Sequence, residues 1–108
     1  MSATPSPAVW RNCAILTPLA ETGDVDHGRL AAHARSLLDA GLNGVTLFGT
    51  TGEGPAFTVA QRLRTVEALL RAGLPADTLT LGVASAALGD AVELTAAAGR
   101  LGLRAVLA

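Results

Sequence analysis

The sequence predicts an α/β chain in which short strands alternate with helices along a parallel sheet. Two observations carry this. Three Gly-Leu pairs, Gly41-Leu42, Gly73-Leu74 and Gly102-Leu103, recur about 30 residues apart, the length of a repeating β-α unit. Each pair follows a helical apolar pattern and precedes a strand-like run. Glycine is the usual residue just past a helix end, where the chain turns left-handed. The stretches Ala40-Gly41-Leu42-Asn43-Gly44-Val45-Thr46-Leu47 and Arg100-Leu101-Gly102-Leu103-Arg104-Ala105-Val106-Leu107 also look alike.

Taken in order, Ala14-Ile15-Leu16 reads as a first strand closed by Thr17-Pro18, with Cys13 beside it as a small core residue. Asp26 is placed to cap a helix whose Leu30, Ala34, Leu37 and Leu38 fall on one face. Gly44 to Phe48 is a second, buried strand. Thr58 followed by Gln61 is a capping-box signature, in which the two side chains satisfy free N–H groups reciprocally. It opens a helix with Leu63, Val66, Leu69 and Leu70 inward. Leu79 to Val83 is a third strand, Asp90 is expected to cap a helix through Val92, Leu94 and Ala98, and Ala105 to Leu107 begins a fourth strand.

Strict alternation implies right-handed crossovers, and both a closed eight-stranded barrel and an open doubly wound sheet satisfy it. Residues 1–9 are expected to be a flexible tail and residues 10–108 part of a single domain. Because a parallel strand would have nothing after it to cover it, the chain is expected to be an N-terminal piece, truncated in strand four.

Composition narrows the function. Half of the 108 residues are apolar, enough for a core, and the net charge of -1 with no basic cluster argues against a nucleic-acid surface. The apolar runs fall short of the roughly 18 residues needed to cross a bilayer. The opening Met1-Ser2-Ala3-Thr4-Pro5-Ser6-Pro7 has neither a charged nor an apolar signal region. A single cysteine excludes an internal disulfide framework and fits a reducing cytoplasm. There is no lysine and no tyrosine; all eight basic residues are arginines, scattered as on a solvated face. The chain therefore holds neither an amine nucleophile on a side chain nor a phenol.

The most informative junction is where Gly44-Val45-Thr46-Leu47-Phe48 runs into Gly49-Thr50-Thr51-Gly52-Glu53-Gly54. A buried strand that stops at a glycine-flanked threonine pair puts two hydroxyls and several free N–H groups at one carboxyl edge. Such a nest suits a small anion, a carboxylate especially; an ordinary strand-to-helix turn also fits. The glycine order is wrong for a dinucleotide loop, strand three ends in Ala84-Ser85 with no acidic ribose ligand, and the Gly-Lys-Ser/Thr of a phosphate loop is missing. His27 and His33 are six residues apart and do not share a helix face, so both read as surface residues and no metal site is expected. Asp24 and Asp26 beside His27 read as a cap with a solvated neighbour, and Trp10 as a plug for the barrel bottom or a loop.

Ile15-Leu16-Thr17-Pro18-Leu19, then Ala40-Gly41-Leu42-Asn43-Gly44, then Gly49-Thr50-Thr51-Gly52-Glu53, in this order and spacing, resemble the start of the dihydrodipicolinate synthase / N-acetylneuraminate lyase family. The resemblance runs from Trp10 to Ala108 and is greatest to the synthases themselves. It implies an α/β fold made of the N-terminal three and a half βα units of a (β/α)8 TIM barrel. It also implies a class I aldolase-type lyase that needs no cofactor, holds pyruvate or another 2-keto acid as a Schiff base on a lysine, and assembles as a homo-oligomer. By resemblance the synthase reaction joins pyruvate to aspartate semialdehyde in lysine biosynthesis. A keto-deoxy sugar-acid aldolase or dehydratase, or an N-acetylneuraminate lyase-like enzyme, is the alternative, and a non-catalytic carboxylate-binding remnant is the reading from another class. Thr51 then holds the substrate carboxylate through its hydroxyl and N–H, with Gly49 and Thr50 completing the seat. Thr50 relays a proton as a hydroxyl that both donates and accepts. Gly52 and Glu53 shape the loop, Glu53 by accepting N–H bonds. The family's lysine and relay tyrosine belong to later strands, so these 108 residues alone are expected to be inactive. Gly54-Pro55-Ala56 departs from the small polar residue usual after the signature, and the second helix lacks the histidine of lysine-inhibited members.

Overall fold

The computed structural model describes residues 11–49, 56–85 and 87–107; the tail and Trp10 lie outside them. The elements are β1 (Asn12–Ile15), α1 (His27–Asp39), β2 (Gly44–Leu47), α2 (Val59–Arg71), β3 (Leu79–Gly82), α3 (Leu88–Leu101) and β4 (Ala105–Leu107). A single turn of 3₁₀ helix, Ala76–Thr78, precedes β3 and was not foreseen. The strands form one sheet in the order β1-β2-β3-β4, every pair parallel.

The register explains which face is which. Ile15, Leu47, Leu81 and Val106 lie abreast, as do Ala14, Thr46, Thr80 and Ala105 one residue earlier. Successive side chains on a strand point to opposite faces. Val45, Leu47, Leu79 and Leu81 are sealed in one apolar cluster with Leu30 and Ala34 of α1, Val66 and Leu69 of α2, and Leu94 and Ala98 of α3. All three helices therefore cover the same face, α1 beside α2 and α2 beside α3. That is the wall of a barrel; a doubly wound sheet would divide its helices between two faces. Each fully buried Leu or Val contributes about 1.5–3 kcal/mol to this wall. The opposite face is mostly small and polar, with Leu107 the exception, and the Asn12 amide donates to Thr46 Oγ1 across it at 2.8 Å.

Local signals set the helix ends. The Asp26 carboxylate accepts from Arg29 N at 3.0 Å, as its position ahead of α1 predicts. The capping box is complete: Thr58 Oγ1 accepts from Gln61 N at 3.0 Å, and Gln61 Oε1 accepts from Thr58 N at 2.8 Å. Gly41, Gly73 and Gly102 all have left-handed φ, at 108°, 95° and 74°.

Other expectations need correction. β1 begins two residues early and stops at Ile15, because its pairing with β2 runs from Asn12 to Ile15 and leaves Leu16 exposed. Asp90 does not cap α3. The helix starts at Leu88 after Ala87, and Asp90 sits in the first turn, where an acid complements the helix dipole. Val92 faces outward with Leu88, one turn away, while Leu94, Ala97 and Ala98 form the inward stripe. Cys13 is only half-buried, since β1 is the edge of the described sheet. Arg62 is the largest departure: it is 1% exposed, the bulkiest fully buried side chain among the described residues.

Candidate functional site

The sheet's carboxyl edge is built by β2, β3 and the residues that follow them. After Leu47 the backbone leaves the strand at Phe48, which takes φ of 57°, a left-handed value uncommon for a residue with a side chain. Gly49 follows, and a β-carbon there would fall 2.5 Å from Thr46 Cγ2 and 3.2 Å from Leu107 Cδ2, so a larger residue would force the Thr46 side chain to shift. The turn at the start of the signature is thus a real constriction at the strand end. Thr50, Thr51, Gly52 and Glu53 lie outside the described residues, so of the predicted seat only Gly49 is placed.

The chain is described again from Ala56. The Phe57 ring packs against the Phe48 ring with centroids 5.1 Å apart and planes tilted by 55°, bringing the two ends of the connection together. Phe57 O accepts from Arg62 Nε at 3.1 Å, and the same guanidinium donates from Nη1 to Gly82 O at 3.1 Å. Gly82 ends β3 directly against Phe48: a β-carbon there would collide with the Phe48 carbonyl oxygen and lie 2.6 Å from its carbon. Burial pulls the Arg62 guanidinium below its usual pKa, and the negative charge of Asp90 pushes it back up. Asp90 Oδ2 in turn accepts from the Ser85 hydroxyl at 3.3 Å.

Beside this cluster a cavity of about 490 Å³ is lined by Phe57, Thr58, Ser85, Asp90 and Glu93, among others. It opens at the carboxyl ends of β2 and β3, the end at which barrel enzymes place their sites. A smaller cavity of about 230 Å³, lined by Asp24, Val25, His27, Gln61 and Arg64, lies between the starts of α1 and α2. His27 is half-buried there, a correction to its surface assignment. The Thr65 hydroxyl donates to Gln61 O at 2.8 Å, so at 3.2 Å it accepts from His27 Nε2–H. His33 is exposed, as expected. Among the described residues no group of three or more His, Cys, Asp or Glu side chains is placed to hold a metal ion, and no helix is long and apolar enough to cross a membrane.

Sequence reasoning missed Arg62, yet a signal was present. Arg62 lies four residues before Val66 and seven before Leu69, on the apolar stripe of α2.

Residues 12–108 match the dihydrodipicolinate synthetase family. The chain is 43% identical over 95 residues to an uncharacterized DapA-like lyase from Chloroflexus aurantiacus, an overlap covering 87% of this chain and 31% of that protein. Among solved structures, dihydrodipicolinate synthase from Agrobacterium tumefaciens str. C58 superposes with a TM-score of 0.84 at 34% identity, over 92% of this chain and 35% of that one. N-acetylneuraminate lyase from Proteus mirabilis superposes with a TM-score of 0.75 at 28% identity, over 91% of this chain and 34% of that one. The chain thus spans about a third of the length of the proteins it matches. These neighbours are (β/α)8 barrels, and the four parallel strands with helices on one face form a portion of that fold.

Proposed function

We infer the function from one premise: this chain belongs to the dihydrodipicolinate synthetase family. It carries the carboxylate-binding part of a Schiff-base-forming lyase that acts on pyruvate or another 2-keto acid. Thr51 fixes the substrate carboxylate by hydroxyl and N–H, and Gly49 lets the backbone approach it. Thr50 relays a proton during the imine and enamine steps. The observation that carries this reading is the constriction at Phe48 and Gly49, which ends β2 sharply at the sheet's carboxyl edge, with the threonine pair next in sequence.

The nucleophile is a lysine outside these 108 residues. An amine must attack the keto carbon in its neutral form, and the eight arginines stay protonated. As second substrate, aspartate semialdehyde is favoured over a sugar-derived aldehyde, because the synthase is the nearer of the two structural neighbours in both identity and superposition.

Titrating pyruvate into the isotope-labelled chain, with amide shifts followed at Gly49, Thr50 and Thr51, tests the seat. Thr51→Val keeps the shape and removes the hydroxyl. It is expected to weaken pyruvate by about 10- to 150-fold, the worth of a hydrogen bond to a charged group. Thr50→Val is expected to change affinity less than Thr51→Val does, because its main part is a relay that acts during chemistry. No pyruvate-dependent shift in the wild-type chain, or equal affinity in wild type and Thr51→Val, overturns the reading.

A further inference from the structure

Arg62 is the only charged side chain that is buried among the described residues. Taking a guanidinium out of water is costly unless its donors are satisfied, and an apolar residue on that stripe of α2 would join the core at no such cost. What the guanidinium holds is therefore informative. Among the described residues its bonds go to two different segments. Phe57 is the last residue before the cap of α2, where the segment from β2 returns, and Gly82 is the last residue of β3. Both held residues press on Phe48, Phe57 through its ring and Gly82 through its bare α-carbon under the Phe48 carbonyl. Phe48 is also the residue whose backbone departs from the strand at φ 57°.

We propose that Arg62 is a positioning residue: it ties Phe57 to the end of β3 and so clamps Phe48 and Gly49, the backbone from which the Thr50-Thr51 pair follows. It does not itself contact substrate. A planar, forked cation spans two carbonyls at a fixed separation; a lysine ammonium on its flexible stem reaches one of them at a time. The site's precision, in this view, comes from a side chain rooted one element away. The clamp stands on the geometry alone, whereas its consequence for pyruvate rests on the function proposed above.

The test uses the whole chain as wild type, Arg62→Lys and Arg62→Met. The chain has two phenylalanines, so the nuclear Overhauser effect between the Phe48 and Phe57 rings is read without ambiguity. Protection of the Val45 and Leu81 amides reports the sheet, and a pyruvate titration reports the site. In Arg62→Met the ring-to-ring effect is expected to collapse and pyruvate to weaken about 10-fold or more, with Val45 and Leu81 still protected. Arg62→Lys should restore part of both. An unchanged ring contact in Arg62→Met overturns the clamp, and so does equal loss of protection throughout the sheet. Lysine behaving no better than methionine overturns the forked role. Should Arg62→Met not fold, Arg62→Gln, which keeps one donor group, takes its place with the same criteria. A wild-type chain that ignores pyruvate removes the proposed function, and the ring contact then decides the clamp by itself.

Discussion

Gly82→Ala places one methyl group where β3 meets the turn after β2. The added carbon falls against the Phe48 carbonyl oxygen, 2.6 Å from the Phe48 carbonyl carbon and 3.0 Å from Leu47 O. Ordinary contact begins near 3.4 Å, so the Phe48 carbonyl carbon must retreat by about 0.8 Å and its oxygen, nearer still, by more; the obstructing atoms are backbone that cannot rotate aside. Overpacking of this kind costs typically 1–3 kcal/mol, and the backbone clash puts it at about 3. The alanine recovers less than about 1 kcal/mol by restricting the unfolded chain. A net loss of about 2 kcal/mol corresponds to a fall in Tm of roughly 8–16 °C for a chain of this size. Gly99→Ala is the matched control. It lies within α3 with nothing within 4 Å of a β-carbon, so it should stabilise by about 0.5–1 kcal/mol through helix propensity. Both variants are melted by circular dichroism at one concentration, so that any self-association is common to them. Equal melting temperatures for Gly82→Ala and wild type would refute the close approach of β3 to Phe48, and with it the geometry assigned to the site.

Two further expectations follow from the chemistry and from the caps. Borohydride added to the chain with labelled pyruvate should leave no adduct on any side chain, since there is no lysine to form the imine; mass spectrometry of peptides checks this, with the terminal amine of Met1 set aside, and a labelled internal residue would sink the argument. Thr58→Ala removes the hydroxyl that accepts from Gln61 N at 3.0 Å and should cost about 1 kcal/mol in chemical denaturation, the usual worth of an N-cap, whereas a loss below about 0.3 kcal/mol would mean that α2 is held by packing alone.

The features legible in the sequence are those decided within a few residues. The Asp26 cap, the Thr58–Gln61 box and the three left-handed glycines depend on neighbours three or four positions away, and all stand where the residues place them. The alternation of strands and helices was equally open to reading, because glycine punctuates each unit at a helix end. Asp90 shows the limit of the same logic. Its type and spacing suit a cap, but it pairs with Ser85 from inside the first turn, so an acid near a helix start does not say which position it holds. Cys13 shows another limit: the apolar run Ala14-Ile15-Leu16 follows it in sequence, but its cover depends on a strand alongside β1.

The parts of the site that stayed hidden are those decided by elements distant in sequence. Nothing about phenylalanine announces a left-handed backbone; Phe48 adopts it where Gly82, thirty-four positions on, leaves room for its carbonyl. Arginine as a type points to solvent, and composition alone put all eight on the surface. Arg62 is buried because two carbonyls from separate connections converge on it, one of them Gly82 O, twenty residues away. The apolar stripe of α2 located the position without identifying its use. A charged residue on such a stripe is better read as a question about which backbone groups it satisfies, since it is stable there only if they exist. In this chain the answer leads to the end of β2, where the Gly49-Thr50-Thr51 sequence begins. A buried cation four residues past a cap is thus a stronger pointer to the site than the exposed His33 or the half-buried Cys13, both of which carry more familiar chemistry.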